Sequence, residues 1–235
     1  MVEAVKRSRP YDSPRRREQA AATRRLILEA AQRLFEREGY AATSVPAIAA
    51  EAGVALKTVY VVFETKAKLL RELWDERLSE DETGIPVVER AWYQELLEES
   101  DPERKLSLLA RQSRVVKTRS GTLMEVIRNA GSADPEIAGL WNDIQTKLLD
   151  VQRSIIEQLE GKDALVGGLD VVTATDILWT LNHPSVWHLL VGERGWTAEG
   201  YERWLGETFC LQLLGGGSLR SHANGASRSG GETDS

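Results

Sequence analysis

The stretch from Ile137 to Leu159 constrains this chain more than any other. Ile137, Leu140, Trp141, Ile144, Leu148, Val151, Ile155 and Leu159 recur at spacings of three and four, the repeat of a single helix face. Asp134 and Pro135 precede them, a side-chain cap followed by the residue best suited to a first helical position. A helix running to about Glu160 cannot cover its own apolar stripe, so the chain must supply further helices to pack on it.

The remaining patterns supply those helices. A helix is expected from about Arg15 to Glu38, with Ile27, Ala31, Leu34 and Phe35 on one side and Gly39 as its stop. In "TSVPAIAAEAG", Thr43 is the expected N-cap, Pro46 lies in the first turn and Gly53 ends a helix of about two turns. Thr65 is positioned to cap a helix carrying Leu69, Leu70, Leu73 and Trp74, with the aliphatic stem of Arg77 beside them. Further helices are expected over 87–98, from the Asp101–Pro102 cap, over 122–129, over 172–191 with an interruption at Pro184, and over 198–214. Thr197 is the expected cap of the last, with Trp196 and Tyr201 as a hydrophobic staple. The fold class is therefore all-α. Residues 1–14 read as a flexible basic arm and the Gly/Ser-rich 215–235 as a disordered tail.

One segment resists this pattern. "TVYVVF", Thr58 to Phe63, is built of β-branched and aromatic residues that favour strands. It is flanked by helical sequence and follows a tight turn at Gly53 and Val54. Read as a helix over 56–63, it turns Val59 and Phe63, with Val54 ahead of it, inward, and leaves Leu56, Lys57, Tyr60 and Val61 outside. Exposed apolar and aromatic side chains are unsuited to a solvated helix but suit one lying in the DNA major groove, where thymine methyls accept apolar contact. The two short helices then form a helix-turn-helix, braced by the long first helix.

Charge points the same way. Residues 1–70 hold 13 Lys/Arg against 8 Asp/Glu, leaving 17 against 28 in the rest, so a +5 head precedes a −11 body. A basic head suits a polyanion, and an acidic body is repelled by one. No apolar run approaches the roughly 20 residues of a membrane span, so a cytoplasmic protein without membrane contact is expected. The single Cys210 excludes an internal disulfide, and no Cys/His spacing suits a metal. The sequence lacks H-E-x-x-H, G-x-S-x-G and a phosphate loop, which argues against an enzyme, and no cofactor is implied.

The segment "TSVPAIAAEAGVALKTVYVVFETKAKLL" resembles the DNA-binding signature of the TetR family of bacterial transcriptional regulators, the likeness running from residue 24 to 74. The resemblance implies a helix-turn-helix DNA-binding domain over 15–65 and a helical effector-binding and dimerisation domain over 66–214. It implies phosphate contacts at Thr43 and Lys66, and base and backbone contacts from Leu56, Lys57, Thr58 and Tyr60. Val61 joins them by its exposure, and Arg15, Arg16 and Arg17 as a basic arm on the minor groove or backbone. Ala55 and Val62 depart from the family pattern, which often has a cap at the first position and a phosphate-contacting His or Tyr at the second.

A regulator of this kind implies an inverted-repeat operator, a homodimer through the last two long helices and a partly apolar small-molecule effector. Ile177, Leu181, Leu205, Phe209 and Leu213 are the expected apolar contribution to the dimer. Trp92, Met124, Trp141 and Trp179 offer apolar surface for an effector, with Arg128, Asn182 and His183 as polar anchors beside the Pro184 break. A helical adaptor that binds another protein, with no effector ligand, is the alternative.

Overall fold

The computed structural model describes residues 14–79 and 89–215. They form ten α-helices: α1 Pro14–Ala42, α2 Val45–Glu51, α3 Leu56–Phe63, α4 Lys66–Ser79, α5 Ala91–Glu98, α6 Pro102–Ala130, α7 Pro135–Glu160, α8 Val171–Leu181, α9 Pro184–Trp187 and α10 Ala198–Leu214. A π-helical turn, His188–Glu193, continues α9. No strand occurs among the described residues. Residues 1–13 of the expected arm, the tail beyond Gly215 and the first residues of the helix expected over 87–98 lie outside them, while Pro14 opens α1.

Four of the five caps read from the sequence are present. Asp101 accepts from Arg104 N at 2.7 Å, Asp134 from Glu136 N at 3.0 Å, Thr65 from Lys68 N at 3.0 Å and Thr197 from Gly200 N at 3.0 Å. Each satisfies a backbone donor that the first helical turn leaves unpaired. Pro184 starts α9 after a break at Asn182 and His183.

Three expectations give way to packing. Thr43 is only 1% exposed and donates to Gly39 O, so the N-cap of α2 passes to Ser44, which accepts from Ala47 N at 3.2 Å. The helix expected over 122–129 is the second half of the 29-residue α6. Gly121 of α6 lets the Trp187 ring approach closely: a Cβ there would lie 3.0 Å from Trp187 Nε1, so the ring would have to give way. Trp196 and the buried Tyr201 both pack on Trp204, with ring centres 6.0 and 5.9 Å away. Finally Leu205, Phe209 and Leu213 are wholly buried inside the protomer with Leu106, Leu109 and Ala110 of α6, so they are not available to a second copy.

Two apolar clusters form the core. The first joins α1–α4 to residues 123–144 of α6 and α7, and the second joins α5, α8 and α10 to residues 106–110 and 155–159 of the same two helices. The long α6 and α7 therefore run through both.

Candidate functional site

The head is built on α1. Ile27, Leu28, Ala31, Leu34 and Phe35 pack with Ile48 and Ala49 of α2, Val59 and Phe63 of α3, and Leu69, Leu70 and Leu73 of α4. α2 and α3 meet at 111° across Gly53, whose φ of 67° makes the turn between them. That angle lies in the range of a DNA-reading helix-turn-helix. TVYVVF is helical because burial of Val59 and Phe63 outweighs a strand preference worth under about 1 kcal/mol per residue.

The outer side of α3 carries Leu56, Lys57, Tyr60 and Val61, all exposed, Val61 at 72% and Tyr60 at 47%. Thr58 is half-buried beside them. Ala55 precedes α3 without a capping bond, and Val62, the other departure, packs against the core. Arg15, Arg16 and Arg17 occupy the exposed first turn of α1.

Lys66 already has backbone partners. Its Nζ donates to Tyr40 O at 2.8 Å and Thr43 O at 2.9 Å and sits 4.1 Å from the centre of the Tyr40 ring. It satisfies carbonyls at the end of α1, the place where cations are favoured, and burial lowers its pKa. With Thr43 buried as well, Ser44 is the exposed hydroxyl at the start of α2.

In the body, the candidate effector residues divide. Trp141 and Trp179 pack edge-on against His183 at 5.9 and 4.9 Å. His183 Nδ1 accepts from Ser185 N at 3.2 Å, and burial followed by the charges of Lys117 and Arg128 lowers its pKa, which keeps the ring neutral. Asn182 is buried and already occupied: its Oδ1 accepts from Ser113 and, at 2.7 Å, from Lys117 Nζ. Met124 belongs to the first cluster, whereas Trp92 packs on Tyr93 at the second. Arg128 is exposed and paired with Glu125. Trp141, Trp179, Asn182 and His183 therefore come together; Trp141 packs on the cluster that holds Met124, the charge of Arg128 reaches His183, and Trp92 lies at the other cluster.

Sequence reasoning missed the centre of this group. Lys117 is 5% exposed and its Nζ bonds Ser113 Oγ at 2.8 Å, Asn182 O at 2.7 Å and Tyr201 OH at 2.8 Å besides Asn182 Oδ1. The signal was present in the sequence: Ser113, Lys117 and Ser120 continue the stripe of Leu106, Leu109 and Ala110 towards Leu123. Polar residues at stripe positions of a long helix mark a buried polar site.

Two clefts open on the surface. One of about 520 Å³ lies between the end of α1 and α6, lined by Tyr40, Ala41, Glu125, Val126 and Asn129 among others. The other, of about 780 Å³, lies over α5 and the start of α6 with Glu95, Glu98, Arg104 and Arg111. No group of three or more His, Cys, Asp or Glu arranged to hold a metal occurs among the described residues. No single helix there is long and apolar enough to cross a membrane.

Comparison with known proteins bears on both halves. The profile of the bacterial regulatory proteins, tetR family, matches residues 27–73. The HTH-type transcriptional regulator AcrR of Shigella flexneri is 35% identical over 114 residues, 47% of this chain and 50% of that protein. The HTH-type transcriptional regulator TtgR of Pseudomonas putida is 28% identical over 163 residues, 68% of this chain and 76% of that protein. Among solved structures, NalD of Pseudomonas aeruginosa, described as the secondary repressor of a multidrug efflux pump, superposes with a TM-score of 0.64 at 23% identity. That alignment covers 83% of this chain and 98% of NalD, and shows a shared fold.

Proposed function

This chain belongs to the tetR family of bacterial regulatory proteins through its residues 27–73, and on that premise we propose that it is a repressor released from an inverted-repeat operator by a small-molecule effector. The observation that carries the reading is the outer face of α3. Leu56, Lys57, Tyr60 and Val61 stand exposed on a helix held by Val59 and Phe63. Leu56 and Val61 meet thymine methyls, Lys57 and Tyr60 meet backbone or base edges, and Thr58 flanks them. Ser44 takes the phosphate contact at the start of α2, and Arg15, Arg16 and Arg17 add charge from α1.

A homodimer presents two copies of α3 to successive major grooves about 34–36 Å apart, or a multiple of that spacing. With Leu205, Phe209 and Leu213 spent inside the protomer, the dimer contacts fall to exposed apolar residues around α8 and α10. Val166, Val172 and Leu211 lie at one end, where Val166 N donates to Leu213 O at 2.8 Å, and Leu189 and Trp196 lie at the other.

Effector binding in the body favours a conformation in which α4 has moved and the two reading helices no longer match the groove spacing. Operator and effector then weaken each other by the same factor.

The test is a titration of the full chain with DNA flanking its own gene, at about 0.15 M salt with excess unrelated duplex. Competitor-resistant binding that footprints an inverted repeat is expected. Binding no tighter to that DNA than to the competitor, across the flanking regions and then a random-sequence selection, rejects the reading.

A further inference from the structure

The two apolar clusters are separated by a polar layer, and the chemistry of that layer specifies an occupant. From α6 it receives Lys117 between Ser113 and Ser120, all buried. From α7 it receives Gln145 and Gln152, seven residues apart on one helix face. Gln152 is 0% exposed, and neither the Oε1 nor the Nε2 of either glutamine has a hydrogen-bond partner.

Named contacts join the Lys117 side of this layer to the tryptophans, and Gln145 follows Trp141 on the same helix. Lys117 Nζ bonds both oxygens of Asn182, and the neighbouring His183 takes the rings of Trp141 and Trp179 on its edges. Gln145 is one turn beyond Trp141 on α7. The Trp141–His183 contact joins the start of α7 to the break that follows α8, so the two helices run antiparallel, and Trp179 of α8 meets the same His183 ring.

The energetics of the layer select a ligand type. A buried carboxamide with no partner keeps its full desolvation cost uncompensated. A buried ammonium surrounded only by neutral oxygens is costlier still. All four partners of Lys117 are neutral oxygens, and no carboxylate pairs with it among the described residues. A cationic ligand is opposed by that ammonium, and a purely apolar one leaves both carboxamides unpaired.

We propose that this layer is the effector seat and that its ligand is an organic anion, a carboxylate on a flat apolar body. The carboxylate pairs with Lys117 Nζ in place of the Asn182 carboxamide. Further polar atoms of the ligand meet Gln145 and Gln152, and its body lies along Trp141 and Trp179. The proposal rests on the regulator reading above for the meaning of the site, though its chemistry is testable alone. Burial already holds the Lys117 pKa well below its ordinary value, and an incoming carboxylate reverses that effect.

The experiment follows tryptophan fluorescence of the full chain during titration with matched probes: 2-naphthoate, 2-naphthamide and 2-naphthylmethylammonium, then the same three head groups on phenyl and decyl bodies. On at least one body the acid should bind saturably and about tenfold more tightly than its amide and ammonium counterparts. Lys117→Gln should bring the acid within about threefold of the amide. The double variant Gln145→Leu with Gln152→Leu, which removes unpaired groups and so does not endanger folding, should weaken the acid several-fold. An acid preference below about threefold on every body, or no acid saturating below about 10 mM, overturns the proposal. So does an undiminished acid preference in both variants. Operator titration of the same preparation separates the two readings. DNA binding without an acid-selective site rejects only the ligand class, and an acid-selective site without DNA binding rejects only the regulator.

Discussion

The phenol of Tyr40, at the end of α1, donates a 2.6 Å hydrogen bond to Asp134 Oδ2, 94 residues away, while the other oxygen of that carboxylate caps α7 at Glu136 N. One side chain thus ties the DNA-reading head to the first turn of the helix that carries Trp141 and Gln145. Lys66, the first residue of α4, holds the Tyr40 carbonyl and lies over its ring, so three helices meet at this point. Burial, and then the bond to Asp134, raise the phenol's pKa and keep it a donor at neutral pH.

Tyr40→Phe removes the bond and keeps the ring packed on Phe35. A hydrogen bond to a charged acceptor contributes about 1.5–3 kcal/mol, so urea unfolding should show a loss of about that size. The factor by which effector weakens operator binding should shrink as well. Unchanged stability together with unchanged coupling would show that the contact transmits nothing.

On the reading face, Lys57→Ala should reduce the dependence of log K on log salt by about 0.9 per subunit if its ammonium meets a phosphate. Val61→Ser should instead relax the preference for one thymine, costing about 1–3 kcal/mol on the cognate site and little on others. Filter-binding over a salt series and a set of single-base operator variants reads both effects. A uniform loss for Val61→Ser across all sequences would remove it from base contact.

Arg15, Arg16 and Arg17 lie in the exposed first turn of α1. Replacing all three by Ala should flatten the salt slope by up to about three units per subunit. An unaltered slope would mean that this turn stays clear of the DNA.

Leu211→Glu is expected to open the dimer. Leu211 is 46% exposed on α10, away from the face buried against α6. Sedimentation at micromolar concentration should show monomer, and operator affinity should fall, because a single head loses the second half-site. A persistent dimer would move the interface elsewhere.

Lys117 gives a pH signature. Its pKa is lowered in the folded protein by burial, so the native state releases this proton at lower pH than the unfolded chain does. Between the folded value and about 10.4 the unfolded state binds more protons, and stability rises with pH. Lys117→Met should lose that rise. Urea unfolding from roughly pH 7 to 9.5 avoids the tyrosines, whose unfolded pKa is about 10. Identical pH profiles for variant and parent would contradict the assigned burial effect.

What the sequence determined by itself was local. The caps at Thr65, Asp101, Asp134 and Thr197 join residues two or three apart, and the stripe from Ile137 to Leu159 follows from helical periodicity alone. The exposure of Leu56, Tyr60 and Val61 was legible for the same reason, since fixing Val59 and Phe63 inside fixes the opposite face outside. Tertiary structure decided which groups were already spoken for. Thr43 lost its cap to burial under Gly39 O, Lys66 turned to the carbonyls closing α1, and Leu205, Phe209 and Leu213 went to α6 rather than to a partner. The meeting of Lys117 with Asn182 and Tyr201 spans 65 and 84 residues. No periodicity encodes such a contact, because it depends on how three helices distant in the chain rotate to fill a common core.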